Sequence, residues 1–506
     1  MKGAVAAGHP VTAEAGAQVL ADGGHAVDAC IAAGFASWVS ESTLTGPGGG
    51  GFMLVHRAQD HATRLLDFFV EVPGRGLPAH EPRELEAVDV EFDRDTSQIF
   101  HIGGGSCAVP GTIAGLEAAH RAFGTLPWRE LIAPAVEVAR RGVELTRPQA
   151  FLHAILDLIL RHSDESRAIY DREGARLVAG DRLAMPDLAT TLETLASEGA
   201  DALYHGELGA AVSRHVRAAG GDLTREDLAD YRVIGRRPVR VAFQGHEFVS
   251  NPPPSSGGVL IGYGLLLLDR LGIEGRAGSA EAIAALVEAM REQTRVREGR
   301  FASDLYRGGL TKRLYAEPVL REAVERMRRR EGALPEPVGA PGTTHVSAVD
   351  ADGNAASLTV SNGSGSGVVV PGTGIHLNNM LGEYDLNPAG GVAKPGRRLT
   401  SMMAPSVVLR DGRPRLVVGS AGSVRLRGAI LQIVLNVVNH GLGVQEAIER
   451  PRVHLEGAQV HCEGGADSRE LDRLADWGYE LVRWQRRNLY FGGAAGVERR
   501  EDGTLA

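Results

Sequence analysis

Apolar residues recur at two spacings along this 506-residue chain, and the spacing separates helices from strands. A repeat of three to four residues predicts helices at 11–23, 26–39, 112–123, 128–142, 149–160, 206–219, 259–271, 279–298 and 313–330. Alternation and short apolar runs predict strands at 4–8, 51–56, 63–69, 239–249, 345–350, 355–360, 406–410, 415–419 and 458–462. Both element types are therefore spread along the whole chain, and no internal repeat interrupts them.

Two of the predicted strands form a hairpin. The stretch Asp350–Gly353 has the composition of a tight turn, with an alternating strand pattern before and after it. A hairpin brings the end of its second strand beside the start of its first. We therefore expect Ser361 to lie close to Thr343.

Thr343 stands at the junction between a proline- and glycine-rich segment, 331–342, and the first strand of this hairpin. That composition excludes a helix or a central strand, so we interpret the segment as an exposed connector. A threonine that follows a glycine at such a junction becomes an N-terminus if the chain cuts itself there. Its hydroxyl is then the nucleophile, and its α-amine, with an ordinary pKa of about 8, is the base.

An acyl-transfer site also needs N–H groups that stabilise the oxyanion. The stretch Leu416–Arg425 is predicted to run from a strand through a turn of small residues into a helix that begins near Val424. Gly422 and Ser423 lie where this helix begins, and their N–H groups could face a ligand. An ordinary strand-to-helix turn is the alternative interpretation of the same residues.

Composition narrows the classes of function. The formal net charge is −9, and the sequence contains no nucleic-acid-binding motif, so we expect no nucleic-acid partner. The glycine run Gly46–Gly51 lacks the Gly-Lys-Ser/Thr of a phosphate loop, and the three scattered cysteines form no disulfide framework. We expect no cofactor and no metal. Apolar runs are too short for a membrane span, and Met1-Lys2 is not preceded by an export segment, so we expect a cytoplasmic protein. Asp28 and Glu41 lie in or near the second helix, where surface or capping roles are expected.

The motifs, taken in order, resemble those of the γ-glutamyltranspeptidase family in the N-terminal-nucleophile hydrolase superfamily. The matching stretches are Gly3–Gly16, Gly23–Ala29, Gly46–Phe52, Ala108–Gly115, Asp227–Tyr231, Pro252–Gly258, Thr343–Ser347, Leu377–Asn379, Arg398–Met402 and Gly419–Gly422. The resemblance implies an α+β fold, a four-layer αββα sandwich, built as one intertwined domain over residues 1–506. It also implies self-cleavage between Gly342 and Thr343 into a large fragment, 1–342, and a small fragment, 343–506, that stay associated.

The resemblance assigns roles to residues of the reaction centre. Thr343 falls on the family nucleophile and Ser361 on its supporting hydroxyl residue, which is usually Thr. Gly422 and Ser423 fall on the oxyanion positions, where the family has two glycines. A backbone N–H is the donor there, so serine is an acceptable replacement.

The resemblance also assigns substrate-binding residues, and here the chain departs from the family. Thr400 and Ser401 match a Ser-Ser pair that holds the substrate carboxylate, and Glu383 falls where an Asp grips the substrate's amino group. Asn362 matches a substrate-binding Asn. Two further substrate-binding positions are altered: the clamping arginine is replaced by Phe69, and a common Gln by Met380. The departures at these two positions favour an apolar group.

Three hypotheses follow. The first is a self-processing threonine hydrolase or acyltransferase that acts on a γ-glutamyl or related small amide, with water, an amine or an amino acid as acceptor. The second keeps the chemistry but takes a non-glutamyl substrate, as relatives in specialised metabolism do. The third is a non-catalytic protein that retains the scaffold.

Overall fold

The computed structural model describes residues 2–78, 83–93, 96–330, 342–383 and 394–506. Its strands, in chain order, are β1 (Gly3–Ala7), β2 (Gly50–His56), β3 (Thr63–Phe68), β4 (Glu86–Asp93), β5 (Thr96–Ile102), β6 (Val143–Glu144), β7 (Asp171–Arg172), β8 (Ala175–Arg176), β9 (Arg182–Leu183), β10 (Ile234–Arg236), β11 (Val239–Phe243), β12 (His246–Ser250), β13 (Thr344–Asp350), β14 (Ala355–Ser361), β15 (Val369–Val370), β16 (Ile375–His376), β17 (Ser406–Arg410), β18 (Arg413–Ser420), β19 (Val453–Glu456), β20 (Gln459–Cys462), β21 (Glu480–Arg483) and β22 (Ala494–Glu498).

Its α-helices, in the same order, are α1 (Pro10–Ala21), α2 (Ala26–Ser40), α3 (Thr112–Phe123), α4 (Trp128–Arg141), α5 (Arg147–Ile155), α6 (Asp157–Leu160), α7 (Asp164–Tyr170), α8 (Pro186–Glu198), α9 (Asp201–Tyr204), α10 (Glu207–Ala218), α11 (Arg225–Ala229), α12 (Gly257–Leu271), α13 (Ala280–Arg295), α14 (Phe301–Arg307), α15 (Leu310–Leu314), α16 (Glu317–Arg329), α17 (Leu426–Val438), α18 (Val444–Glu449) and α19 (Ser468–Asp476).

Two antiparallel sheets form the centre of the fold. The first has the strand order β1-β13-β14-β2-β3-β10, and the second has the order β11-β12-β17-β18-β22. Every residue of β13 and β14 is buried, because these strands are central in their sheet and both of its faces are covered. Helix α2 packs on the outer face of β13 and β14, and β18 packs on their inner face.

Helices complete the outer layers. Helices α2 and α3 cover the first sheet, whereas α12 and α17 cover the second. Between the sheets lies an apolar core to which Phe52 and Leu54 of the first sheet and Val407 and Val417 of the second contribute. The order helix, sheet, sheet, helix confirms the predicted αββα sandwich.

The residues on either side of Gly342 contribute strands to both sheets. In the first sheet β13 pairs with β1 and β14 pairs with β2, and in the second sheet β17 pairs with β12. The cut predicted after Gly342 falls outside all these pairings. Ladder hydrogen bonds and the shared core would therefore still hold the two fragments together.

Most predicted elements agree with the structure to within about three residues at their ends, but three predictions were wrong. The strand predicted at 239–249 is the hairpin β11–β12, since Gln244 and Gly245 turn the chain with φ values of 45° and 73°. The helix predicted at 149–160 is interrupted at Leu156. The helix predicted at 313–330 begins at Glu317, because Pro318 favours the first turn of a new helix.

The periodicity did not predict several elements, among them β4, β5, α8 and β22. The predicted connector 331–341 lies outside the described residues. Across the described ranges, no helix combines the length and apolarity that a membrane crossing requires. Within those same ranges, no cluster of three or more His, Cys, Asp or Glu side chains could hold a metal ion.

Candidate active site

The carbonyl oxygen of Gly342 is the centre of the site, because two hydroxyl groups donate hydrogen bonds to it. Thr343 Oγ1 donates at 2.7 Å, and Ser361 Oγ donates from the neighbouring strand. Both side chains are buried. Cleavage is predicted at the peptide bond between Gly342 and Thr343. The two hydrogen bonds polarise the carbonyl of this peptide, and the Thr343 hydroxyl lies beside it.

Glycine is required at position 342. Its φ of 153° disfavours residues with a side chain, and a Cβ there would lie 1.8 Å from the carbonyl oxygen of Gly363. The hairpin prediction is confirmed: Thr344 pairs with Val360, so Thr343 and Ser361 follow at the end of the ladder. The structure thus brings the two predicted hydroxyl residues together, and their catalytic roles stay predictions.

Ser361 is oriented by its own loop. Its Oγ accepts a hydrogen bond of 2.9 Å from the N–H of Gly363, which leaves the hydroxyl proton for the Gly342 carbonyl. Gly363 adopts a φ of 68° and packs closely against neighbouring side chains: a Cβ there would lie 2.1 Å from Asn379 Oδ1 and 3.0 Å from Glu383 Oε1. The carboxyl of Glu383 therefore lies against the turn that orients Ser361.

Glu41 is a residue of the site that sequence reasoning missed, because its expected role was at the surface or as a cap. Its carboxyl is buried and accepts hydrogen bonds from Thr344 Oγ1 and, at 2.7 Å, from Thr12 Oγ1. Burial raises the pKa of this carboxyl, although the two hydroxyls oppose the shift. Asp28, in contrast, has the expected capping role at the start of α2.

The predicted oxyanion turn follows β18. Gly422 has a φ of 119°, and Ser423 has a φ of 52°, the left-handed region that a non-glycine residue rarely occupies. A single 3₁₀ turn, Ser423–Arg425, comes before α17, so the helix begins two residues later than predicted. The N–H of Ala421 donates to the carbonyl of Gly493 at 2.7 Å and anchors the turn. Gly422 lines the same cavity as Thr343.

The predicted contacts for a substrate head group lie on two loops. On one, Asn362 is buried and its Nδ2 donates to the carbonyl of His376 at 3.2 Å. On the other, the Ser401 carbonyl accepts a hydrogen bond of 2.8 Å from the N–H of Ser256, and Ser401 Oγ accepts one of 3.0 Å from the N–H of Met403. Thr400 precedes this buried serine and is half-buried.

Phe69 and Met380 are both buried in the apolar core between the sheets. The Phe69 ring stacks on Phe52, with the ring centroids 5.5 Å apart and 20° between the planes. Its carbonyl accepts a 2.8 Å hydrogen bond from the Tyr231 hydroxyl and another from the Arg398 guanidinium, which also lies 3.2 Å from Glu71. Position 69 thus belongs to the packing of the sandwich.

A cavity of about 580 Å³ opens beside Thr343. Its described lining consists of 25 residues: 7–10, 40–44, Thr146, 148–149, 152–153, Leu183, 342–345, 421–422 and 492–495. Phe69 and Met380 are not among these residues. The sequence did not predict that the residues around α5 line this cavity, because they are some 190 positions from Thr343 and carry no motif.

Comparisons with known proteins identify the family of the chain. Residues 12–506 match the γ-glutamyltranspeptidase family. The Acylase ACY 1 proenzyme of Pseudomonas sp. strain SE83 is 33% identical over 100% of this chain and 91% of that protein. The glutathione hydrolase proenzyme of Escherichia coli strain K12 is 33% identical over 90% of this chain and 81% of that protein.

A solved structure is similar over the whole chain. The cephalosporin acylase from Bacillus halodurans superposes with a TM-score of 0.85 at 25% identity, covering 100% of this chain and 93% of that one. A family match over nearly the full length, together with the fold, determines the assignment. The chain belongs to the γ-glutamyltranspeptidase family of self-processing N-terminal-nucleophile hydrolases.

Proposed function

We propose that the protein is an amidohydrolase whose nucleophile, Thr343, is released by self-cleavage and then takes the acyl group of a small amide. The observation that carries the proposal is the Gly342 carbonyl, which accepts hydrogen bonds from both Thr343 and Ser361. A peptide held between an attacking hydroxyl and a second donor is arranged for an acyl shift.

In self-cleavage, Thr343 Oγ1 adds to the carbonyl carbon of Gly342. The hydroxyl proton passes to the peptide nitrogen as the C–N bond breaks, and an ester links the two residues. Ser361 donates to the carbonyl oxygen while negative charge develops on it. Water then cleaves the ester, which leaves a carboxylate on Gly342 and a free α-amine and hydroxyl on Thr343.

In the mature enzyme the α-amine of Thr343 accepts the proton from its own hydroxyl as that oxygen attacks the substrate carbonyl. The N–H groups of Gly422 and Ser423 are proposed as the oxyanion donors. The proton then passes to the leaving amine, and an acyl ester remains on Thr343. Water, or a second amine, attacks this ester and regenerates the free hydroxyl.

Of the two substrate hypotheses, we favour the amide without a glutamyl head group. Phe69 occupies the position that the resemblance assigns to the clamping arginine, and its ring is committed to stacking on Phe52. The guanidinium nearby, that of Arg398, is paired with Glu71 and with backbone oxygen. Two of the relatives reported above are named acylases, which agrees with this preference. The non-catalytic hypothesis has no support from a site with this geometry.

The test has two parts. Intact-mass measurement of the purified protein should find two chains, the smaller one beginning at Thr343, whereas Thr343→Ala should remain a single chain. Hydrolysis of γ-glutamyl-p-nitroanilide is then compared with that of acyl p-nitroanilides without an α-amino acid group. A wild-type chain that stays uncut would contradict the mechanism, and a preference for the glutamyl compound would contradict the substrate class.

A further inference from the structure

We infer that the cavity beside Thr343 is a pocket for an uncharged, apolar acyl group, an inference that rests on the proposed function. The nucleophile Thr343 and the proposed oxyanion residue Gly422 both line this cavity. A substrate carbonyl must lie between those two groups. Whatever is attached to its carbon on the enclosed side therefore enters the cavity.

Most of the wall surface is apolar, and it comes from separate parts of the chain. Leu44 follows α2, Leu152 lies on α5, and Leu183 ends the short strand β9; all three line the cavity. Leu183 is buried, while Leu44 and Leu152 are half-buried. Pro148, also a lining residue, is exposed. An apolar group that enters the cavity removes leucine surface from water along with its own.

The wall formed by α5 is anchored to the site. Thr146 caps the helix by accepting a hydrogen bond from the N–H of Gln149, and the Gln149 side chain accepts from the N–H of Thr146 in return. Gln149 Nε2 also donates to the carbonyl of Ser40, the residue before Glu41. This bond fixes Leu152, on the same helix, relative to the end of α2.

The charges of the lining disfavour an anionic acyl group. None of the described residues that line the cavity has a lysine or arginine side chain, so a carboxylate at the far end of an acyl chain would find no cationic side chain there. Three histidines are among the described lining residues; burial lowers the pKa of His153 to about 4, that of His345 to about 3 and also that of His9, so all three rings are neutral at pH 7. The carboxyl of Glu41 is already bonded to Thr12 and Thr344 and offers no positive charge.

The size suits a medium acyl chain. A volume of about 580 Å³ lies within the range of roughly 300–1,000 Å³ that small-molecule pockets occupy. Each methylene buried in such a wall should raise kcat/KM by about fourfold, until the pocket is full. Octanoyl and phenylacetyl amides should therefore be better substrates than acetyl amides, and glutaryl amides should be poor ones.

The experiment uses the self-cleaved protein and p-nitroanilides with acetyl, butanoyl, hexanoyl, octanoyl, decanoyl and glutaryl groups. We expect kcat/KM to rise by at least tenfold from acetyl to octanoyl, and Leu152→Trp to shift the optimum to shorter chains. Leu152→Ala should shift the optimum to longer chains, which tests the pocket even if the tryptophan variant does not fold. Leu158→Trp is the matched control, because that leucine is 61% exposed and does not line the cavity.

The outcomes separate this inference from the proposed function. A cleaved enzyme that hydrolyses these amides with a flat chain-length profile, or that prefers glutaryl, would overturn the pocket while the reaction stands. The pocket assignment would also be overturned if Leu152→Trp left the acyl chain-length profile unchanged but altered the preference for the leaving amine. That preference is measured with octanoyl methylamide and octanoyl naphthylamide. A protein that does not cleave itself, or hydrolyses none of the amides, contradicts the proposed function.

Discussion

Replacement of Ser361 by alanine should slow self-cleavage strongly. Thr343 and Ser361 both donate to the Gly342 carbonyl in the uncut chain. Thr343 must give up its bond when its oxygen attacks the carbon of that same carbonyl. Ser361 is then the hydroxyl that remains on the oxygen as negative charge develops, so its contribution grows towards the transition state.

The magnitude follows from that growth. A neutral hydrogen bond contributes about 0.5–1.5 kcal/mol in the ground state, whereas loss of one oxyanion donor costs about 2.7–4 kcal/mol in the transition state. Ser361 should behave as an oxyanion donor, because the hydrogen bond from the Gly363 N–H already fixes the position of its oxygen and little reorganisation is needed. We therefore expect Ser361→Ala to cleave about 10²- to 10³-fold more slowly.

The assay follows the fraction of uncut chain on denaturing gels after synthesis or refolding, with the new N-terminus confirmed by intact mass. Ser361→Thr retains the hydroxyl and should cleave within about tenfold of wild type, while Thr343→Ala gives the zero-rate baseline. A thermal melt of each variant checks that it is folded. Folded Ser361→Ala that cuts itself within threefold of the wild-type rate would refute the reasoning.

Three further predictions concern stability and are best measured in the uncut Thr343→Ala background. Phe69→Ala should lower the free energy of unfolding in urea by about 3–5 kcal/mol, because the ring is fully buried, whereas the exposed Phe151→Ala should change it by less than about 0.5 kcal/mol; equal effects would contradict the core assignment. Burial raises the pKa of Glu41, so stability should fall as pH rises above 4.5 through the folded pKa. In thermal melts from pH 4 to 8, Glu41→Gln should not show this fall of stability with rising pH. An unchanged pH dependence in the variant would contradict the assignment to Glu41. Burial lowers the pKa of His345 to about 3, so stability should fall as pH drops from 6.5 towards 3. The fall should be less steep in His345→Gln, and parallel pH profiles of the two proteins would show that His345 is not its source.

The hairpin that carries Thr343 and Ser361 could be predicted because its signal is local. Alternating residues define two strands, and a turn sequence between them sets which positions face each other. The strand predicted at 239–249 failed for a local reason of the same kind. Gln244-Gly245 is a two-residue turn inside an otherwise strand-like run, and the periodicity continued through it.

Glu41 and Phe69 show where the sequence was not sufficient. A glutamate just past a helix end is normally at the surface, but here Gly8, Thr12 and Thr344 converge on it from other elements. The phenyl ring of Phe69 was interpreted as a substrate contact, yet it packs between the sheets. In both cases the surroundings of the side chain come from segments distant in the sequence, so the neighbouring residues do not predict them.

The sequence by itself predicted Thr343 as the nucleophile, and it determined the hairpin that carries this residue, the glycine before it and the family to which the chain belongs. These features depend on residue identity and short-range spacing, and both are visible in the sequence itself. Only the tertiary structure decided what surrounds them: a buried carboxyl behind Thr344 and an apolar cavity whose walls come from β9, α5 and the end of α2. Burial and charge pairing depend on contacts between distant segments, so they exist only once the layers have packed together.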